Sequence, residues 1–140
     1  MAVSEEVRRQ FVDYIMLQTF DDQYIDRVEE KKILEEGIRK GFGVEEGLAI
    51  IRQTAAERNF ALERDAEDRA KETLEAFATN DGKVDKKEFE SAMAIFKSAT
   101  KGKLPEHELK KRLKMMMEEN AWKAKEGGLF GSKWYSAIQI

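Results

Sequence analysis

Two short acidic segments contain the residues of this sequence that could do chemistry. Each segment has an aspartate, a turn, a β-branched residue and then the pattern Asp-x-x-Glu. The six carboxylates are Asp22, Asp26 and Glu29 in the first segment and Asp81, Asp85 and Glu88 in the second. Such carboxylates can bind a divalent cation such as Ca²⁺, which prefers oxygen ligands. They can equally cap the N-terminus of a helix.

The capping interpretation accounts for every repeated position. In a capping box the first side chain accepts a hydrogen bond from the first helical turn, and the Glu three residues later bonds back to the cap N–H. Ile25 and Val84 precede the two capping aspartates and would anchor the loops to the core. We therefore expect helices to begin at about Asp26 and Asp85.

The cation interpretation depends on a partial likeness to the EF-hand loop. If Gly82 takes the invariant glycine position, the side-chain ligand positions of that loop fall on Phe77, Thr79, Asp81, Asp85 and Glu88. Phe77 cannot bind a cation, and Thr79 supplies no carboxylate. In the first segment Gln23 stands where the glycine should be. A Ca²⁺ site would therefore be incomplete, and a degenerate EF-hand-like, calcium-responsive binding protein is the alternative function.

The two acidic segments belong to a longer internal repeat. They are related by a constant offset of 59 positions, which also places Phe11 on Ala70 upstream. Downstream, Val44 falls on Pro105 and Asn59 on Asn120 at an offset of 61, so two residues would have been gained in the turn of the second copy. We expect repeat units at about 7–60 and 68–122, packed about a pseudo-twofold axis.

Composition and periodicity predict an all-α fold. The chain of 140 residues has one proline and nine glycines, with apolar residues at helical spacing. We expect helices over about 4–19, 26–40 and 85–100, and from Pro105 through Trp122 to a stop at Gly127. Residues 44–78 form either one long helix or two helices broken near Asn59. A single helix would span about 50 Å at 1.5 Å per residue, which is long for so small a domain, so we favour the break.

The expected architecture is a pseudo-duplicated helical bundle of about six helices. It would be a single domain over residues 1–126, followed by a short aromatic tail over residues 127–140. Helix periodicity also predicts that two of the consecutive methionines Met115, Met116 and Met117 face the core while the third is partly exposed.

The duplicated motif resembles the TerB-like domains of the tellurite-resistance B family. The second copy carries Asp81-Gly82-Lys83-Val84-Asp85 with Glu88, and the first keeps Asp22, Ile25, Asp26 and Glu29. The resemblance covers roughly residues 7–122. It implies a bacterial, cytoplasmic, non-enzymatic module that acts in multi-protein assemblies, with two such motifs in a pseudosymmetric bundle and metal contact through the acidic residues.

Charge and residue content argue against several other function classes. The 25 basic and 28 acidic side chains nearly cancel, which argues against nucleic-acid binding and against a polybasic membrane contact. No stretch is long and apolar enough for direct membrane insertion, and we expect a cytoplasmic location. The chain has no cysteine, one histidine and no recognised catalytic motif, so we expect no enzyme activity and no cofactor apart from Ca²⁺.

The C-terminal tail is the predicted contact element for another protein. Large apolar side chains are concentrated where chain ends are normally polar. The predicted partner-binding residues are Leu129, Phe130, Trp134, Tyr135 and Ile138 of the tail, together with Met116. Three interpretations remain open for the tail: it folds back onto its own bundle, it inserts into a partner or neighbouring subunit, or it is left over from cloning.

Overall fold

Helices dominate the part of the chain that the computed structural model describes, residues 3–127 and 133–140. The helices are α1 (Glu5–Gln18), α2 (Arg27–Arg39), α3 (Val44–Arg58), α4 (Glu63–Ala78), α5 (Lys86–Ala99) and α6 (Glu106–Glu119). The short strands are β1 (Tyr24–Ile25), β2 (Ala61–Leu62), β3 (Lys83–Asp85) and β4 (Lys123–Lys125). The predicted all-α class, with about six helices, is confirmed. None of the helices in these ranges combines the length and the apolar character that crossing a bilayer requires.

The chain divides into two compact units, Met1–Arg64 and Asp65–Ile140. The first unit contains α1, β1, α2, α3 and β2, and the second contains α4, β3, α5, α6 and β4, with the division in the first turn of α4. The same order of elements therefore occurs twice.

Each unit contains one parallel pair of short strands, which the sequence analysis did not predict. In the first unit Ile25 of β1 pairs with Leu62 of β2, and in the second Val84 of β3 pairs with Ala124 of β4. Two or three extended residues are too few to produce a recognisable alternation of polar and apolar side chains. The pairing ties the acidic loop of each unit to the chain that follows the unit's last helix.

The long apolar segment 44–78 contains a break between two helices, at the predicted place. Asn59 ends α3 in the left-handed conformation, with φ 61° and ψ 40°. Asn tolerates this conformation better than most residues because its short polar side chain can bond locally. The following residues, Ala61 and Leu62, are the buried strand β2.

The predicted extent of the last helix was wrong. Helix α6 ends at Glu119, and Ala121, with φ 57°, turns the chain into β4, so α6 does not reach Trp122.

Equivalent positions in the two units are buried together. At the offset of 59, the fully buried Ile15 of α1 corresponds to the fully buried Leu74 of α4. In the last helices the offset is 62 and not the expected 61: the N-cap residues Gly43 and Pro105 correspond, and the buried Ile51 corresponds to Leu113. The third additional residue arises because α5 has 14 residues and α2 has 13.

The two cores have a large and a small residue at the same pair of equivalent positions, in opposite order. In the first unit the ring of Phe11 lies against Gly37, and a Cβ atom on Gly37 would lie only 2.9 Å from Cζ of Phe11. In the second unit the equivalent positions are occupied by Ala70 and Phe96, both buried in the same cluster. A large and a small residue have exchanged places, which conserves core volume.

Candidate functional site

The acidic loop of the second unit forms a complete capping box. The Asp85 carboxylate accepts a hydrogen bond from the Glu88 backbone N–H at 2.7 Å, and Glu88 Oε1 accepts one from the Asp85 N–H at 2.9 Å. Asp81 Oδ1 accepts from the Lys83 N–H at 3.0 Å, and Asp81 Oδ2 lies 2.9 Å from Nζ of Lys125. The hydrogen bond from Lys125 holds the pKa of the Asp81 carboxyl below its usual range.

The acidic loop of the first unit has the same geometry. The Glu29 N–H donates to Asp26 Oδ1 at 2.7 Å, and the Asp26 N–H donates to Glu29 Oε1 at 3.2 Å. Asp22 Oδ1 accepts from the Tyr24 N–H at 3.2 Å. Burial raises the pKa of Glu29, and the neighbouring carboxylates of Asp26 and Asp22 add to the rise.

The predicted capping boxes are therefore confirmed in both units. Each loop brings its own three carboxylates to the start of a helix, where the two capping residues bond to backbone N–H groups. Asp81 has a charged partner for its second oxygen. Within residues 3–127 and 133–140, no group of three or more His, Cys, Asp and Glu side chains is arranged to hold a metal ion.

The first unit contains a buried carboxylate that is absent from the second. Glu30, 2% exposed, lies on α2 at the position that Phe89 occupies on α5. Its Oε1 accepts a hydrogen bond from Nε of Arg64, and its Oε2 lies 3.9 Å from Nη1 of Arg27. A buried charge of this kind requires a partner. Arg64 is the last residue of the first unit, so the ion pair lies within that unit and explains how a buried glutamate is tolerated.

The described part of the tail lies on the second unit itself. The ring of Trp134 packs against Phe89 of α5, with 5.1 Å between the ring centroids. Nζ of Lys114 on α6 donates hydrogen bonds to the carbonyl oxygens of Tyr135, at 3.1 Å, and of Ile138, at 2.8 Å. These contacts agree with the first of the three interpretations of the tail, in which it folds back onto its own bundle.

Tyr135 makes further contacts between the tail and α6. Its hydroxyl donates to Glu118 Oε1 at 2.9 Å, and its ring lies 4.7 Å from Nζ of Lys114. Burial raises the pKa of the Tyr135 hydroxyl, and the hydrogen bond to Glu118 raises it further. Two other residues predicted to bind a partner, Leu129 and Phe130, lie outside the described residues.

The methionine triplet divides as helix periodicity predicted. Met116 is 8% exposed and Met117 is fully buried, while Met115 is 38% exposed. Met116, one of the predicted partner-binding residues, therefore lies in the core cluster of the second unit.

An exposed apolar groove lies on the first unit. It has a volume of about 430 Å³ and is lined by Asp13, Met16, Leu17, Phe20, Gln23 and Phe60. Two of these side chains are strongly exposed, Leu17 at 72% and Phe20 at 80%. Large apolar side chains that cluster at the surface and remain exposed mark interaction sites. Hereafter these six residues are called the apolar groove.

The apolar groove is specific to one copy of the repeat. At the offsets that relate the two units, its positions correspond to Glu72, Glu75, Ala76, Thr79, Gly82 and Trp122. The four on α4 and the following turn, from Glu72 to Thr79, are polar or small, and all four are exposed. The fold of the unit therefore does not require exposed Leu and Phe at these positions.

The sequence analysis did not select the apolar groove, although a signal was present. The buried stripe of α1 contains Phe11 and Ile15, which are one helical turn apart. Leu17 follows Ile15 by two positions, which turns it about 200° around the helix axis and away from that stripe. A large aliphatic residue on the outer face of a helix, followed by an aromatic residue after its end, was the available indication.

The tests against known proteins gave no relative. The chain matches no family model, no curated protein and no solved structure.

Proposed function

We propose that this protein is a non-catalytic protein-interaction module, an adaptor of a bacterial multi-protein assembly that resembles the TerB-like domains. The observation that carries the proposal is the apolar groove. Two large side chains, Leu17 and Phe20, are strongly exposed and line it together, and clustered exposed apolar side chains mark interaction sites.

The character of the groove supports protein recognition. Methionine and aromatic side chains are enriched at protein interfaces, since they supply large, adaptable contact areas. The groove contains Met16, Phe20 and Phe60, and its polar members, Asp13 and Gln23, can orient a partner. The copy of the repeat that lacks these residues serves as an internal comparison.

The remaining features fit an adaptor better than an enzyme. The only histidine, His107, is exposed in the first turn of α6, and the chain contains no cysteine. The carboxylates of the acidic loops bond to the backbone at helix starts, which is a structural role. The tail contacts its own unit, so we assign partner contact to the groove and not to the tail. A cytoplasmic, bacterial setting is part of the proposal through the TerB-like resemblance.

The test uses two variants of the full chain, each of which replaces exposed apolar side chains by serine. The first is the double variant Leu17→Ser/Phe20→Ser, which removes the exposed apolar side chains of the groove. The matched control is Val28→Ser on α2, because Val28 is 71% exposed but does not line the groove. Both should melt within a few degrees of the unchanged protein, since each exposed substitution usually alters stability by no more than about 0.5 kcal/mol.

Partners cross-linked to the protein in its native cells are then identified, purified and titrated directly against all three forms. We expect the groove variant to lose at least tenfold in affinity, and the Val28 variant to bind like the unchanged protein. Equal binding by all three forms would contradict the assignment of the groove. A purified partner that is chemically altered by the protein would contradict the non-catalytic role.

A further inference from the structure

The charged residue in the lining of the apolar groove, Asp13, is acidic. Asp21 and Asp22 follow Phe20 directly, and between Gln10 and Asp26 the sequence contains no lysine or arginine. Arg9, one turn before Asp13 on α1, is paired with Glu6 at 2.7 Å. Arg58 precedes Phe60 by two positions and, like Asp21 and Asp22, is not part of the lining. Acidic residues therefore outnumber basic ones in the segments that border the groove.

The apolar lining of the groove suits one face of a helix. Its part on α1 runs from Asp13 to Leu17, which is about 6 Å of helix axis at 1.5 Å per residue, and Phe20 follows the end of α1. A partner helix with apolar residues at positions i, i+3, i+4 and i+7 presents one apolar face, which would lie against Met16, Leu17, Phe20 and Phe60.

Taking the proposed interaction function as its basis, we propose that the apolar groove binds a basic amphipathic helix of a partner protein. Aliphatic residues of that helix fill the groove, and its lysine or arginine residues lie beside Asp13, Asp21 and Asp22. Complementary charge adds to the association rate and to the selection of partner, while apolar burial supplies most of the affinity.

Charge also discriminates against a second copy of this chain as the occupant. Two grooves that faced each other would bring the three aspartates of one copy toward those of the other. Like charges brought together at an interface disfavour binding. A partner of opposite charge removes this repulsion, and Asp13, Asp21 and Asp22 are all exposed.

The experiment uses two synthetic helices that share their leucines and differ in charge. Each is 14 residues long with leucine at positions i, i+3, i+4, i+7 and onward, and the polar positions are all lysine in one peptide and all glutamate in the other. Binding to the full chain is followed by the amide NMR shifts of ¹⁵N-labelled protein. We expect the lysine peptide to bind at least tenfold more tightly and to shift the amides of residues 13–23 and 60.

Variants of the protein separate the apolar and charged contributions. Leu17→Ser/Phe20→Ser should abolish binding of the lysine peptide, and Asp13→Asn/Asp21→Asn should weaken it several-fold and reduce its dependence on salt, because fewer charges remain to be screened. Val28→Ser is the matched control and should bind like the unchanged protein. Equal binding of both peptides, no binding of either, or shifts outside the groove would overturn the inference.

Sedimentation of the unchanged protein tests the second copy as the occupant. Concentration-dependent dimers that Phe20→Ser abolishes would also overturn the inference. The two proposals fail in different ways: if Leu17→Ser/Phe20→Ser loses a native partner but the lysine peptide does not bind, the interaction function stands and only the partner class is wrong.

Discussion

At the scale of single residues, Gly37 and Phe11 show how tightly the first unit is packed. Phe11 is fully buried, stacks on Phe42 with 5.2 Å between ring centroids, and leaves no room for a side chain at position 37. Gly47 on α3 differs, since a Cβ atom there would lie 3.3 Å from Cδ2 of Leu34, the end of a flexible side chain. These two helical glycines respond to different constraints.

We predict that Gly37→Ala lowers the free energy of unfolding by about 1–2 kcal/mol. Overpacking costs about 1–3 kcal/mol, and the higher helix propensity of alanine returns up to about 1 kcal/mol. Gly47→Ala gains the same propensity without the rigid obstacle, so it should leave stability unchanged or raise it. Urea denaturation of both variants measures the difference. A destabilisation by Gly47→Ala as large as that by Gly37→Ala would contradict the packing argument.

The double variant Gly37→Ala/Phe11→Leu identifies the cause. If the Phe11 ring is the obstacle, removing it should make the cost of Gly37→Ala smaller by roughly 1 kcal/mol in a double-mutant cycle. The second unit, with Ala70 and Phe96 at these positions, is the natural form of the exchanged pair. Additive effects of the two changes would place the strain elsewhere.

At the scale of elements, the two acidic loops determine where α2 and α5 begin. Each loop passes through a residue with positive φ, Gln23 at 55° in the first unit and Gly82 at 69° in the second. The chain then enters a short strand and the capping aspartate. Gln23 therefore takes the same backbone path as Gly82, and the lack of a glycine in the first copy does not alter the loop.

We predict that Asp85→Ala lowers the free energy of unfolding by about 0.5–2 kcal/mol, the usual cost of removing an N-cap. Asp68→Ala, an exposed change within α4, is the control, and its free energy of unfolding should fall within about 0.5 kcal/mol of that of the unchanged protein.

We also predict that thermal melts of the unchanged protein in millimolar Ca²⁺ and in chelator coincide, because the loop carboxylates already bond to backbone N–H groups and, at Asp81, to Lys125.

A genuine Ca²⁺ site would produce a different melt. A ligand at 100 times its Kd adds about 2.7 kcal/mol, which raises the midpoint by several degrees. If Ca²⁺ raises the midpoint and Asp81→Asn abolishes the rise, the loop is a cation site, and the calcium-responsive alternative replaces the capping interpretation.

At the scale of the whole molecule, the tail belongs to the second unit. Trp134, Tyr135 and Ile138 pack against the core cluster of α4, α5 and α6. Three hydrogen-bonded contacts join the tail to this unit through Lys114 and Glu118. The first unit is followed directly by α4 and has no such segment, so the two copies of the repeat are completed differently.

We predict that Trp134→Ala lowers the free energy of unfolding of the second unit by about 2 kcal/mol. A core tryptophan costs about 3–5 kcal/mol on truncation, and Trp134 is only partly buried. Hydrogen exchange of the α5 and α6 amides measures the loss of protection. Ile140→Ala is the control, because Ile140 is 64% exposed and should contribute little. Unchanged protection in the Trp134 variant would return the tail to a role in partner binding.

The features that could be predicted from the sequence are those that form between residues close together in the chain. Asp26 and Asp85 cap helices as predicted, and Asn59 breaks the segment 44–78, because capping bonds and left-handed turns form within three or four residues. Helix periodicity likewise predicted that two of the methionines at 115–117 face the core, but it did not say which two; the buried ones are Met116 and Met117. Local geometry leaves few alternatives at such positions.

Tertiary structure alone decided the features that join distant residues. The pairing of Val84 with Ala124, the contact of Trp134 with Phe89 and the pairing of Glu30 with Arg64 connect positions far apart in sequence. The exposure of Leu17 and Phe20 is also a tertiary property, because an apolar side chain is exposed only where the fold provides nothing to cover it. Hydrophobic burial is non-directional, so residue types show which side chains favour burial but not what will cover them.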